Sequence, residues 1–341
     1  MSFPAKSTQT TMRYFRKQGI IIASIAVIFV LLNTVKSLAA TEIRWTTVAP
    51  SPVGTAEAMS AVVGGKLYQL GGYTSTWKPT NRADVYDPAT NTWKRLADIP
   101  ISITHAGVAA DNQNIYLAGG YVGTPGGGQI FATRRVLRYN IPTNTWSNLP
   151  PLPQARGSGG FSNLKGELHF FGGANLNRID RGEHWILKLN NIAAGWQPAA
   201  PLPNPRSHLG DAIVNGKIYA IGGQHSYDDY LTAQNTVHVW NPATKQWTRA
   251  ANLPQPRSHI GSATFVINGE IYLVGGELKH NQAVNNVTVY NPKTNSWREI
   301  TPLPTKRHSG VGGFINGSIY YSSGAPTFNR TVYRGRFQLV S

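Results

Sequence analysis

Short apolar runs that end in glycine recur along this chain: YQLGG closes at Gly72, YLAGG at Gly120, HFFGG at Gly173, YAIGG at Gly223 and YLVGG at Gly276. A sixth copy, YYSSG, carries Ser323 where the others have their first glycine. Runs this short, rich in aromatic and β-branched residues and bounded by turn residues, predict strands. No long stretch after residue 40 keeps an apolar i, i+3, i+4, i+7 spacing, so helices should be scarce. A second element, Trp-x₆-Pro, interleaves with the first. It begins at Trp45, Trp93, Trp146, Trp196, Trp247 and Trp297, with successive spacings of 48, 53, 50, 51 and 50 residues. A third element sits seven residues before five of these tryptophans, at Tyr86, Tyr139, Leu189, Trp240 and Tyr290.

Each unit of about 50 residues reads as four short strands. Strand a follows the proline, as in Leu209 to Val214, and an Asn-Gly or Gly-Gly pair such as Asn215-Gly216 or Gly64-Gly65 turns it into strand b. Strand b ends at Gly-Gly, strand c carries the tyrosine and strand d the tryptophan. This constellation resembles the Kelch repeat, and the resemblance covers residues 41–341. It implies an all-β fold, a six-bladed Kelch β-propeller. The sixth unit stops at a strand-c segment around Val332-Tyr333 with no tryptophan after it, while Thr41 to Val48 reads as a lone strand d. Pairing the two is expected to complete the last blade and close the ring without a long free sheet edge. The glycines, tyrosines and tryptophans are therefore assigned to architecture.

Residues 1–40 form a separate segment. Arg13, Arg16 and Lys17 precede the apolar run Ile20 to Leu32, and Ser37-Leu38-Ala39-Ala40 follows with small residues. That order describes a secretory signal peptide, with an uncleaved signal anchor as the competing reading. Either reading predicts export, to the periplasm or the medium, with membrane attachment only if the segment is retained. The chain is strongly basic, at +17. The first forty residues hold five of its 32 basic residues and none of its 15 acids, so +12 remains from residue 41 onward. Such a surface favours an anionic small molecule, glycan or acidic peptide, and no motif points to a specific nucleic-acid partner. With no cysteine, disulfides, thiolate catalysis and Cys-ligated metal are excluded.

Polar residues that recur without an evident packing role lie between each proline and the next strand a. The clearest copies are Pro205-Arg206-Ser207-His208 and Pro256-Arg257-Ser258-His259. Counted from the proline, the matching places hold Arg156 and Ser158, Ile103 and His105, and Thr55 and Glu57. In the sixth unit Arg307 is in place, but His308 comes one residue early, beside Lys306. Arg and His two apart would share one face of an extended strand. By resemblance to Kelch proteins that capture acidic peptides, these residues would ring the mouth of a central channel. The expected ligand-binding set is Glu57, His105, Arg156, Arg206, His208, Arg257, His259, Lys306, Arg307 and His308, with Glu57 the lone acid. Two long segments after Gly-Gly, Tyr121 to Thr133 and Gln224 to Gln234, should border the same mouth. Gly126-Gly127-Gly128 lacks the lysine and helix of a phosphate loop. A metal site built on His225 and Asp228 is not adopted, and no cofactor or catalytic residue is read from the chain. The expectation is an exported binding module with a basic channel-mouth pocket. The alternative is a sugar mutarotase, because bacterial sialic-acid mutarotases are also exported Kelch propellers; the cross-linked cofactor of the Kelch-type galactose oxidase is impossible without cysteine.

Overall fold

A computed structural model describes residues 41–339; the expected signal segment, residues 1–40, lies outside the described residues. Within them no helix is long and apolar enough to cross a membrane, and the only helical elements are three short 3₁₀ turns. Strands dominate, and among the described residues they assemble into six four-stranded sheets, with a small three-stranded and a two-stranded sheet beside them. In the first sheet Met59–Val63, Lys66–Leu70, Ala83–Asp87 and Thr92–Arg95 pair in chain order, and the next four sheets repeat the scheme. The sixth contains Val311–Ile315, Ser318–Ser322 and Val332–Leu339, with Thr41–Val48 beside the last of these.

The recurrent residues hold these sheets to one another. The tyrosine of strand c and the tryptophan of strand d stand opposite each other, as Tyr86 with Trp93 and Tyr290 with Trp297 do. In five of the six units, Trp45 being the exception, the indole N–H then reaches back to a carbonyl of the preceding unit. Trp93 donates to Ala49 at 3.1 Å, Trp146 to Ala97 at 3.0 Å, Trp196 to Pro150 at 2.8 Å, Trp247 to Ala200 at 3.0 Å and Trp297 to Ala251 at 2.8 Å. An apolar ring thus fills the space between sheets while its one polar group is satisfied. The third unit departs from the expected register. Its strand ends at Lys188, and Leu189 opens a 3₁₀ turn through Ala194. Counting seven back from Trp196 therefore overshoots the strand, whose buried inward residue is Leu187.

The glycine pairs close off the second strand of each sheet. At Gly223, where φ is +95°, a side chain would meet the Ser207 carbonyl at 2.5 Å, so only glycine fits. Ser323 keeps the left-handed backbone of the glycine it replaces, with φ +62°. The residue after each pair then bridges to the segment leading into an innermost strand. Tyr73 bridges to Ala56, Tyr121 to Thr104, Ala174 to Gly157, Gln224 to Ser207, Glu277 to Ser258 and Ala325 to His308. These six bridges frame the candidate site.

Candidate functional site at the channel mouth

The residue that follows each bridged position is the fifth after the repeat's proline: Glu57, His105, Ser158, His208, His259 and Ser309. All six adopt left-handed backbone, with φ between 52° and 58°. Their main chains form a closed circle of hydrogen bonds. The amide of His105 donates to Glu57 (3.3 Å), Ser158 to His105 (2.8 Å), His208 to Ser158 (2.9 Å), His259 to His208 (3.1 Å), Ser309 to His259 (3.2 Å) and Glu57 to Ser309 (3.0 Å). The ring position in the sixth unit is thus Ser309, and His308 occupies the place held elsewhere by Thr104, Ser207 and Ser258. Ser309 Oγ donates to Glu57 Oε1.

The left-handed turn separates the arginines from the histidines. Two residues apart on an extended strand they would share a face; here the chain twists between them, and the guanidinium groups run away from the axis. Arg156, Arg206, Arg257 and Arg307 are at most 1% exposed. Arg206 donates to the carbonyls of Gly222 (2.6 Å), Ala220 (2.9 Å), Asn204 (3.0 Å) and Pro203 (3.2 Å). Arg307 binds the Ser323 carbonyl at 2.9 Å and lies over the Tyr333 ring. Arg156 pairs with Glu183 at 2.9 Å and lies over Trp185, and Arg257 donates to Thr288 Oγ1 at 2.8 Å. None of the four lines the cavity at the mouth, and neither does the exposed Lys306. The basic mouth expected from the sequence is therefore not what these arginines build; Arg206 and Arg307 staple backbone turns together, and Arg156 and Arg257 are held by side chains.

A cavity of about 440 Å³ opens above the ring. Its floor includes Glu57, His105, His259 and Ser309, with His308 beside them, and its sides come from segments that follow the glycine pairs. Tyr73, Trp77, Tyr121 and Phe131 supply aromatic surface, while Asp228, Glu277 and Arg178 supply charge. Glu57 is thus not the lone acid. Arg178, which the sequence reading passed over, is the one arginine at the cavity, its guanidinium held between the rings of Phe131 and Tyr227. His225 does not join Asp228; its Nε2 is 2.7 Å from Asn204 Oδ1.

The imidazoles sit in unequal electrostatic surroundings. Burial disfavours the charged form and pushes His105 and His208 down to about 3, each further lowered by a neighbouring imidazole. Burial acts against His259 too, but Glu277, Glu57 and Asp228 outweigh it and push it up to about 10. The contacts are close: His259 Nδ1 lies 2.9 Å from Glu277 Oε1, and its Nε2 lies 3.6 Å from both Glu57 and Asp228. Asp228 is held well below the usual carboxylate range, because the three imidazoles outweigh the cost of its burial.

Six four-stranded sheets stapled by Tyr–Trp pairs, with a polar mouth at one end, define a protein of the Kelch-repeat class. The chain belongs to that family. Residues 104–324 match the family model described as the KLHDC2/KLHL20/DRC7 Kelch-repeats domain, and residues 57–100 match the Kelch motif. The Kelch-like protein terF of Aspergillus terreus is 32% identical over 68% of this chain. A Kelch repeat-containing protein of Arabidopsis thaliana is 26% identical over 84% of it. The chain spans 52% of the length of the first relative and 72% of the second. Among solved structures, YjhT superposes with a TM-score of 0.63 over 75% of this chain and 87% of its own, at 19% identity, a likeness of fold.

Three of the cavity residues not singled out in the sequence share one signal. Tyr73, Tyr121 and Glu277 each directly follow a Gly-Gly pair, a position as regular as the pairs themselves.

Proposed function

We propose that the chain is a six-bladed, ring-closed propeller that binds a glycan in the mouth cavity. Closure by Thr41–Val48 as the outer strand of the last blade is supported by Ile43, which is buried against the sixth sheet's neighbours, and by the bond from the Ser51 amide to the Arg330 carbonyl (2.8 Å). Removing residues 41–50 should lower the melting temperature sharply; a truncated chain that melts like the intact one would refute closure.

The observation that carries the glycan reading is aromatic surface facing carboxylates across one cavity. Tyr73, Trp77 and Phe131 offer flat apolar faces for the C–H face of a sugar ring, and Glu57, Asp228 and Glu277 accept hydrogen bonds from hydroxyls. These carboxylates also change the ligand expected from net charge. At this cavity an acidic group has Arg178 and His259 to meet, against the four carboxylates of Glu57, Asp228, Asp229 and Glu277, so neutral sugars should bind more tightly than acidic ones or acidic peptides. Titration calorimetry with a panel of neutral and acidic monosaccharides and disaccharides tests this. Trp77→Ala should weaken the best ligand by about tenfold, the effect of losing roughly 1.4 kcal/mol of stacking. A panel with no ligand tighter than millimolar would overturn the reading.

A further inference from the structure

The three ring histidines share an arrangement that sugar binding does not require. One nitrogen from each of His105, His208 and His259 lies within 4.8 Å of the other two, and all three residues are buried. In each case the Nδ1 side is tied by the hydroxyl of the preceding residue. His105 Nδ1 is 2.7 Å from Thr104 Oγ1, His208 Nδ1 is 3.1 Å from Ser207 Oγ, and His259 Nδ1 is 2.9 Å from Ser258 Oγ. His259 Nδ1 has the Glu277 carboxylate as well. A second-shell hydroxyl or carboxylate on Nδ1 fixes the ring and leaves Nε2 to act as a ligand, which is how imidazoles are commonly oriented at metal centres.

Glu57 stands beside two of those free nitrogens, 3.5 Å from His105 Nε2 and 3.6 Å from His259 Nε2. We propose that His105, His208 and His259 bind a zinc-class divalent cation within the ring beneath the mouth cavity, with Glu57 as the fourth ligand. Imidazole donors favour zinc and its transition-metal neighbours over magnesium or calcium. Nitrogens on a tetrahedral zinc sit about 3.3 Å apart, given bonds of about 2.0–2.1 Å, so binding draws the three rings slightly inward. Ser158 Oγ, 3.2 Å from His208 Nε2, gives up that contact when the metal binds.

Charge balance points the same way. Glu57, Asp228 and Glu277 converge on His259 or its neighbours, and Arg178 reaches Asp228 at 3.7 Å. These carboxylates outnumber the single arginine at the cavity, so the ring beneath it favours a cation.

The proposal is independent of sugar binding and is tested by adding zinc chloride or cobalt chloride to the chelator-treated chain. Calorimetry should give one equivalent with a dissociation constant below about 10 μM, a free energy beyond roughly 7 kcal/mol. The cobalt form should show the visible absorption of a tetrahedral site. His105→Ser, His208→Ser and His259→Ser should each weaken binding by at least about a hundredfold. Serine is the choice because Ser158 and Ser309 already hold the same backbone position, and circular dichroism checks that the fold is kept. His280→Ser, at the exposed rim of the cavity, and Trp77→Ala should leave zinc affinity unchanged. No zinc or cobalt binding by the parent chain, or binding that survives the triple His→Ser variant, would overturn the proposal. Sugar affinity measured with chelator present separates failure of this site from failure of the glycan reading.

Discussion

Two rows of polar residues lie two positions apart in the same repeats, yet they live in different environments. The outer row, Arg156, Arg206, Arg257 and Arg307, is sealed from water and attached mainly to main-chain oxygens, a side-chain amide or hydroxyl, or a single carboxylate. The inner row, Glu57, His105, Ser158, His208, His259 and Ser309, faces the axis and varies in type from repeat to repeat. The difference teaches that recurrence marks two separate demands. At Arg206 and Arg307 the arginine meets a turn rich in carbonyls, where the planar guanidinium with its five N–H groups is a multivalent donor, while Arg156 and Arg257 find a carboxylate and a hydroxyl. The inner position recurs only as a backbone conformation, and its side chain is left to chemistry.

Perturbing one row at a time is the direct test of that contrast. The largest effect is expected from Arg206→Ala, which would strand the buried carbonyls of Gly222 and Ala220 and release those of Pro203 and Asn204. A loss of about 3 kcal/mol or more follows from unsatisfied partners of a charged donor, with the melting temperature falling by about 5–10 °C. Thermal denaturation followed by circular dichroism reads it, and a variant as stable as the parent would refute the stapling role. The smallest effect is expected from His208→Ser in the inner row. It keeps a residue type that already occupies the position twice, so stability should change by less than about 1 kcal/mol. A loss comparable to Arg206→Ala would erase the distinction between the rows.

How much of this was legible depended on which physical rule governed each residue. The repeat period, the four strands and the structural role of glycine, tyrosine and tryptophan follow from local patterns that survive folding unchanged. The third repeat misled because the turn before Trp196 is longer than its counterparts, so fixed spacing pointed to Leu189 rather than Leu187. The arginines misled for a different reason. A strand's two-residue periodicity was applied to a segment whose second residue has φ near +55°, as at His208 and His259, and one left-handed residue redirects everything after it. The acids missed a signal that was present: Glu277 follows Gly-Gly just as Tyr73 and Tyr121 do. Asp228 lies on Gln224 to Gln234, a segment expected to border the mouth, whereas Arg178 had no such signal, since it lies on a loop whose path depends on packing across the mouth.

The circle of amide-to-carbonyl bonds at the inner row has a consequence for how such a molecule can change over generations. Because main-chain bonds close the aperture, each of its six positions can be rewritten without redrawing the frame, although neighbouring side chains such as Ser309 and Glu57 touch. One copy of the scaffold could then carry a metal-binding floor, another an uncharged one, with neither inheriting a cost in folding from the other. A gene built from near-identical repeats thereby acquires an alphabet at its centre, where substitution is cheap and the outcome is a new ligand.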